Sequence, residues 1–561
     1  MRRVAIIGGG IAGLSAAYEL ARQARNGAQI EAVLFESSSR FGGLIETVRE
    51  GGFTIECGPD AWVSAKPWAR ELAIELGLES ELTPSNDATR KTHIFLTTPH
   101  NPSGALVPMP DGFHLMVPTN LAALDHSPLF TPAAIAAYRA EPARAAELLA
   151  SIPPGDESVA DFTLRHFGPE VLSRVAAPLL SGVFGGDVRK LSVRAVMPAF
   201  VQMERQHGSL IIALQVSATN NQQPIFTTLR TGLGTLINRL VANIPTHWLR
   251  PHTTVTAIAR TPAADSRQPD AETSLRRWTI HTATAASYRA TESFDAIFLA
   301  TPLDATRRLL APIDPTAAQL LPNESSSAVL VAFAYADATR VPLPPGFGFL
   351  VPPFSSQSEE SANPREMSSS RPERSEVERP PHLAFAPVTP AATTTRRSLL
   401  LACTFADQKF PHRVPPNGRL VRAFFSGAAA ERIARCNNDE IAAIARLELA
   451  RILQANAPRH PDRSGAESRN PRISPLALPA PTPAPVPALT PPLPVLSLVR
   501  RWPNSLPQYA VGHPARIAEL ESRVAALPGL TLLGNALHGV GIPDLIRAAR
   551  NAARLAAGSS L

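Results

Sequence analysis

VAIIGGGIAG, residues 4–13, followed by a helical run over 14–20 and an apolar run over 30–35 that ends at Glu36, decides the fold of this 561-residue chain. An apolar strand stops abruptly in glycines and a helix begins at once. Gly8 predicts the tight turn and Gly10, next to Gly9, lets a pyrophosphate approach the backbone. Gly13 lets the helix pack on the strand. The helix start at Ile11 and Ala12 offers free N–H groups and a positive dipole end to phosphates. Glu36 lies about 20 residues beyond the glycines, where a carboxylate accepts from ribose hydroxyls. A lone glycine fingerprint is weak, but strand, helix, second strand and acid in this order predict a dinucleotide ligand in an α/β fold.

The next stretch selects the dinucleotide. Glu36-Ser37-Ser38-Ser39-Arg40-Phe41-Gly42-Gly43-Leu44 resembles the glycine-doublet motif that follows the fingerprint in FAD-dependent amine oxidases and their relatives. Gly42 and Gly43 bring backbone N–H groups to the phosphates, and Arg40 adds a fixed positive charge, unless it is a solvated loop arginine. A strand from Phe53 then enters the glycine turn Gly58-Pro59-Asp60-Ala61, placed to pass beside a flavin. FAD is expected rather than NAD.

Composition narrows the setting. The formal net charge is +7 with pI near 9.7, yet only four residues are lysine (Lys66, Lys91, Lys190, Lys409), so the excess is scattered arginine rather than a basic block. That argues against nucleic acid and suits an anionic membrane surface, an acidic substrate or a genome-wide arginine bias. Cys57, Cys403 and Cys436 have no metal or disulfide spacing, which predicts no metal site and a reducing, cytoplasmic compartment. No run of about 18 apolar residues occurs, so no spanning helix is expected. Residues 263–277 are polar and irregular. Residues 352–398 are rich in Ser, Pro, Glu and Arg, and residues 456–495 carry a polyproline-like run; both long stretches read as flexible insertions.

Between these lie short apolar helical patterns over 132–150 and 159–180, and strands near 227–229, 255–258, 294–300, 327–335 and 420–425. At the far end, residues 530–535 read as a strand into a glycine turn, with a closing helix over 545–557. That turn aims a second helix start at the cofactor, or is an ordinary strand-to-helix connection.

Several stretches together resemble the bacterial oxygen-dependent protoporphyrinogen oxidases, FAD enzymes of the amine-oxidase-like superfamily. They are the N-terminal block through Asp60, Leu106 to Gly112, Ser181-Gly182-Val183-Phe184-Gly185-Gly186-Asp187, Arg501-Trp502 through His513, and Gly534-Asn535 with Gly539-Val540-Gly541-Ile542-Pro543-Asp544. The resemblance implies a discontinuous Rossmann-like FAD-binding domain (1–88, 226–304 and 498–561). It also implies a mixed-sheet substrate domain (89–109, 206–225 and 305–497) and a helical, membrane-facing domain (110–205). The implied reaction is the six-electron oxidation of protoporphyrinogen IX to protoporphyrin IX in heme biosynthesis, with oxygen as acceptor and hydrogen peroxide formed. Coproporphyrinogen III is the alternative substrate; a carotenoid desaturase, an amine oxidase and a non-enzymatic FAD-binding escort are further alternatives.

Carried over residue by residue, FAD contacts fall on Gly8 through Gly13, Glu36, Ser37, Arg40, Gly43, Leu44, Gly58, Pro59, Asp60, Ala61, Val255, Val540, Gly541 and Ile542. The substrate wall falls on Phe347, Gly348, Leu350 and Phe424, which without the resemblance would read as core strand packing. The family's propionate-binding arginine has no match at Thr92 or His93, which leaves Arg90 with Lys91 as the substitute, or as a solvated loop pair. The cofactor carries the chemistry, so no catalytic acid or base is assigned; Tyr509 and His513 are the candidates, or else braces of the cofactor domain. Phe113 to Val117, Leu129 and Phe130 are expected to form an apolar lip beside Arg139 and Arg144, on a peripheral membrane contact. The implied partners are the porphyrinogen, molecular oxygen, that membrane surface and a second copy of the chain.

Overall fold

The computed structural model describes residues 1–98, 101–217, 224–260, 278–284, 289–352, 398–454 and 492–558. The polar segment 263–277 and nearly all of the two expected insertions lie outside the described residues.

The strand Arg2–Ile7 sits at the centre of a five-stranded parallel sheet. Ile30–Phe35 pairs on one side and Ala296–Leu299 on the other, with Leu249–Arg250 and Leu530–Leu532 outermost. Side chains alternate across such a strand, and here both faces are apolar. Val4 and Ile6 face the helices Ile11–Arg25, Gly234–Ala242 and Ile542–Ala556. Ala5 and Ile7 face a three-stranded antiparallel sheet built from Thr253–Arg260, Trp278–Thr284 and Arg289–Phe294. The chain's two ends therefore meet, because the closing helix packs on the first one. That helix starts at Ile542 rather than Leu545, since Pro543 suits a first helical turn.

A second, seven-stranded sheet runs in the order Leu496–Pro507, Ser325–Tyr335, Arg419–Ser426, Ala402–Phe405, Gly348–Leu350, Thr92–Thr98, Asn101–Pro108. Its pairs are antiparallel except Gly348–Leu350 on Thr92–Thr98. The third body is helical, from Pro132–Ala140 to Leu210–Val216, around a core that includes Phe162, Phe167, Leu191 and Ile211.

The expected apolar lip is corrected by this core. Met116, Val117 and Leu129 are fully buried and Phe130 nearly so, while Phe113 stacks on Phe130 with ring centroids 5.9 Å apart. Only Leu115 of the apolar set is exposed, and Arg139 and Arg144 pair with Asp125 and Glu147 rather than standing free. These hydrophobes gain more by burying against Tyr138 than by waiting at a surface. Among the described residues no helix is long and apolar enough to cross a membrane.

Candidate active site

A cavity of about 560 Å³ opens where the parallel sheet meets the first and last helices. Gly8 forms its floor with φ +107°, a conformation that L side chains avoid, and a Cβ there would lie 2.4 Å from the Ala300 carbonyl oxygen. Gly13 lies outside the wall, where its lack of a side chain lets the helix sit against the Gly8 carbonyl. Gly10 differs from both: a Cβ on it would meet no protein atom within 4 Å, so its open side belongs to the cavity. The helix it opens has no side-chain cap, so the cavity receives uncapped N–H groups and a positive dipole end.

Glu36 closes the far side. One carboxylate oxygen accepts from the Gly9 N–H at 2.8 Å and the other from the Ser38 N–H at 2.7 Å. The oxygen facing Gly9 keeps a second lone pair for a ligand hydroxyl, while the other also accepts from the Ser37 hydroxyl at 3.4 Å. Arg40 lines the wall, but its guanidinium is turned onto its own loop. It donates to the carbonyls of Gly43 (2.5 Å) and Ile45 (3.1 Å) and lies 3.9 Å from Glu46. It therefore rigidifies the glycine-doublet turn, whose Gly42 N–H is tied to the Gly9 carbonyl at 2.8 Å.

Of the residues assigned to the cofactor, the cavity brings together Gly8, Gly9, Gly10, Ile11, Ala12, Glu36, Ser37, Arg40, Gly43, Leu44, Pro59, Val255, Val540 and Ile542. Gly58, Asp60, Ala61 and Gly541 are not in its wall. Gly541 caps the closing helix, and Asp60 turns into a buried ion cluster with Lys409 and Arg422. Missing from the expected set are Thr253, Thr301, Arg308 and the segment Trp502 to Ser505. The last of these is carried in by a bulge in the strand Leu496–Pro507, where Asn504 takes φ +48°. Trp502 Nε1 donates to the Cys57 carbonyl at 2.8 Å, which ties this strand to the turn before Pro59. Trp502 belongs to the stretch from Arg501 to His513, but nothing local in that sequence marks the bulge.

The register of the second sheet orders the expected substrate residues. Ile94, Leu350, Ala402, Phe424, Leu330 and Arg500 pair in one row across it, so their side chains share a face. Arg500 salt-bridges Glu46 at 2.7 Å, so this face lies against the segment that follows the cavity residue Ile45. Leu350 packs on the helical core, as does Val540, a cavity residue. Phe347 lies off the strand, its ring 6.0 Å from Lys409 Nζ. Gly348 serves the sheet rather than a ligand, because a Cβ would lie 2.0 Å from the Cys403 carbonyl oxygen. Arg90 is exposed just outside the strand Thr92–Thr98, separate from that row.

Tyr509 and His513 sit behind the cavity. The Tyr509 hydroxyl donates to the Asn535 carbonyl and accepts from the Gly539 N–H, and His513 Nε2 is paired with the Leu537 carbonyl at 2.8 Å. Burial pushes the phenol up and the imidazole down from their ordinary values. Neither faces the cavity, so both brace the C-terminal glycine turn.

The sequence model of flavin containing amine oxidoreductases matches residues 11–557. The coproporphyrinogen III oxidase of Bacillus subtilis is 28% identical over 555 residues, covering 97% of this chain and 96% of that protein. The human protoporphyrinogen oxidase is 35% identical over 240 residues, 41% of this chain and 46% of that protein. The fold is shared with a crystal structure from Exiguobacterium sp. at TM-score 0.70 and 24% identity, covering 99% of this chain and 98% of that one. It is also shared with cyclohexylamine oxidase from Brevibacterium oxydans at TM-score 0.58 and 15% identity, covering 99% of each. The uncapped helix start, the open face of Gly10 and the ribose-ready Glu36 fit a dinucleotide, and the cofactor is FAD. The chain belongs to the flavin-containing amine oxidoreductases.

Proposed function

We propose that this chain is an FAD-dependent porphyrinogen oxidase of heme biosynthesis, removing six electrons and six protons from the macrocycle with molecular oxygen as acceptor. The observation that supports it most is the apolar row Ile94, Leu350, Ala402, Phe424, on the sheet face whose Arg500 pairs with Glu46, the neighbour of the cavity residue Ile45. Such a wall suits a flat, largely apolar ring better than a small charged amine. Coproporphyrinogen III is the substrate favoured by the relatives matched end to end. Protoporphyrinogen IX, the expectation from sequence, is the second reading, favoured by the higher identity to the human protein over its shorter match.

Bound FAD supplies two-electron acceptance from a C–H bond and reoxidation by oxygen. The chain's own part is placement and exclusion. Gly9, Gly10 and the helix start at Ile11 take the pyrophosphate, and Glu36 takes the ribose hydroxyls. Leu44, Pro59, Val540 and Ile542 would wall the flavin end, and Leu350 with Phe424 would form the apolar surface for the macrocycle. No side chain is assigned a proton transfer, since Tyr509 and His513 are committed to backbone groups.

The test is direct. Purified yellow protein mixed in air with coproporphyrinogen III or protoporphyrinogen IX should yield fluorescent porphyrin and about three peroxides per ring, the stoichiometry of six electrons passed to oxygen in pairs. Turnover of a simple amine, with neither porphyrinogen oxidised, would reject the proposal.

A further inference from the structure

Asp60, its side chain 13% exposed, anchors a cluster of five charges that the proposed reaction leaves unused. Its carboxylate lies 3.1 Å from Lys409 Nζ and 3.1 Å from Arg422 Nη1. Arg413 Nη2 donates to the Asp60 carbonyl at 2.6 Å and to Thr228 Oγ1 at 2.9 Å, and lies 3.6 Å from the Glu56 carboxylate. Arg422 also donates to the Gly58 carbonyl. Glu56 and Arg413 are wholly buried, and Arg422 and Lys409 are 2% and 7% exposed. Burial alone would raise Asp60, but Lys409, Arg422 and Arg413 outweigh it and hold its carboxyl well below the usual carboxylate range.

The charges do not cancel. Three cations face two carboxylates, and Arg413 Nε, Arg413 Nη1 and Arg422 Nε have no hydrogen-bond partner among the described residues. Buried guanidinium N–H groups left unmatched are costly. The cluster also lies next to the cavity, because Pro59, flanked by Gly58 and Asp60, is part of its wall. Arg422 shares the sheet face of the Leu350–Phe424 row and sits over the Phe424 ring at 5.1 Å. In this water-poor setting an excess positive charge is weakly screened.

We propose that Lys409, Arg413 and Arg422 form a fixed positive field behind Pro59 that stabilises the reduced, anionic flavin and so raises the cofactor's reduction potential. A hydride taken from substrate brings two electrons and one proton's worth of hydrogen, so a neutral flavin becomes a monoanion. That new negative charge is the partner the cluster lacks. The inference rests on the flavin end of FAD lying against Pro59, not on which porphyrinogen is oxidised.

The test is the midpoint potential of bound FAD, from reductive titration against a reference dye, in Lys409→Met, Arg422→Gln and Asp60→Asn. Each cation removed should weaken the preference for reduced over oxidised flavin about tenfold, or about 30 mV for a two-electron couple. Asp60→Asn removes a negative charge from the same cluster and should move the potential the other way. That opposite sign is the readout a merely structural role would not give. Equal potentials in all three, or a fall in all three, overturns the proposal. So does loss of flavin from both cation variants while Asp60→Asn keeps the parent's potential, since the cluster would then only hold the turn. A porphyrinogen assay that fails while these potentials split as described would reject the proposed substrate and leave the field intact.

Discussion

The phenol ring of Tyr509 lies flat on the imidazole of His513, with centroids 4.1 Å apart and planes 11° from parallel. The pair holds the C-terminal glycine turn at Asn535, Leu537 and Gly539 through three hydrogen bonds. Asn535 and Val540 from that turn line the cofactor cavity. The stack therefore reaches the flavin only through the backbone it positions.

Tyr509→Phe keeps the stack and deletes the hydroxyl that bridges Asn535 and Gly539. Two part-buried backbone groups lose their partner, at a cost of about 1 kcal/mol. Melting temperature and FAD retention should both fall, while turnover per bound flavin stays at the parent's level. A large loss of turnover in fully loaded protein would return Tyr509 to the chemistry.

Gly8 and Gly10 should separate folding from cofactor binding. Gly8→Ala forces a side chain into positive φ and onto the Ala300 carbonyl, and is expected to cost at least about 1–3 kcal/mol before the clash is counted. Gly10→Ala touches no protein atom, so the flavin-free protein should melt as the parent does. Its methyl instead occupies the approach of the pyrophosphate, and FAD affinity should drop. Calorimetry of the apo forms with FAD titration checks both, and equal behaviour of the two variants would contradict the cavity assignment.

These glycines were legible because their signal is local: strand, turn and helix follow one another within residues 4–20, and Glu36 is one strand away. Trp502 to Ser505 reach the same cavity from the other sheet, on a bulge whose position depends on pairing with Ser325–Tyr335. No pattern in residues 496–507 encodes that pairing. The partners of Asp60 lie about 350 positions away, and isolated Lys409, Arg413 and Arg422 read as ordinary basic residues. The lip failed for a related reason. Apolar runs around Met116 and Leu129 predict a buried face, but only the aromatic cluster around Tyr138 decides what buries it.

His412 should leave a mark on acid stability. Burial, then the charges of Arg413 and Arg230, lower its pKa to about 4 from an ordinary 6.5, so the folded state resists protonation. The unfolded chain takes up the proton first. The contribution is therefore complete above pH 6.5, shrinks as pH falls toward 4 and is constant below that. The full swing is on the order of 3 kcal/mol before solvent screening reduces it. Urea melts of the parent and His412→Gln across this window should diverge in slope, and parallel curves would show that His412 titrates normally.

Leu350 and Phe349 are neighbours on one strand with opposite duties. Phe349 points into the core of the second sheet, 1% exposed and edge-on to Phe405 at 6.0 Å. Leu350 points to the opposite face, in the row with Ala402 and Phe424. Phe349→Ala should cost about 3–5 kcal/mol of stability, with the KM for porphyrinogen unchanged in the protein that survives. Leu350→Ala removes apolar wall from the proposed macrocycle site and should raise that KM about tenfold, a typical value for lost packing in an apolar pocket. FAD affinity should not move, because Leu350 is outside the cofactor wall. Steady-state kinetics on both porphyrinogens, with thermal melts of each variant, separate the two effects. An unchanged KM in Leu350→Ala would move the substrate off this face of the sheet and onto the Phe347 side of the strand.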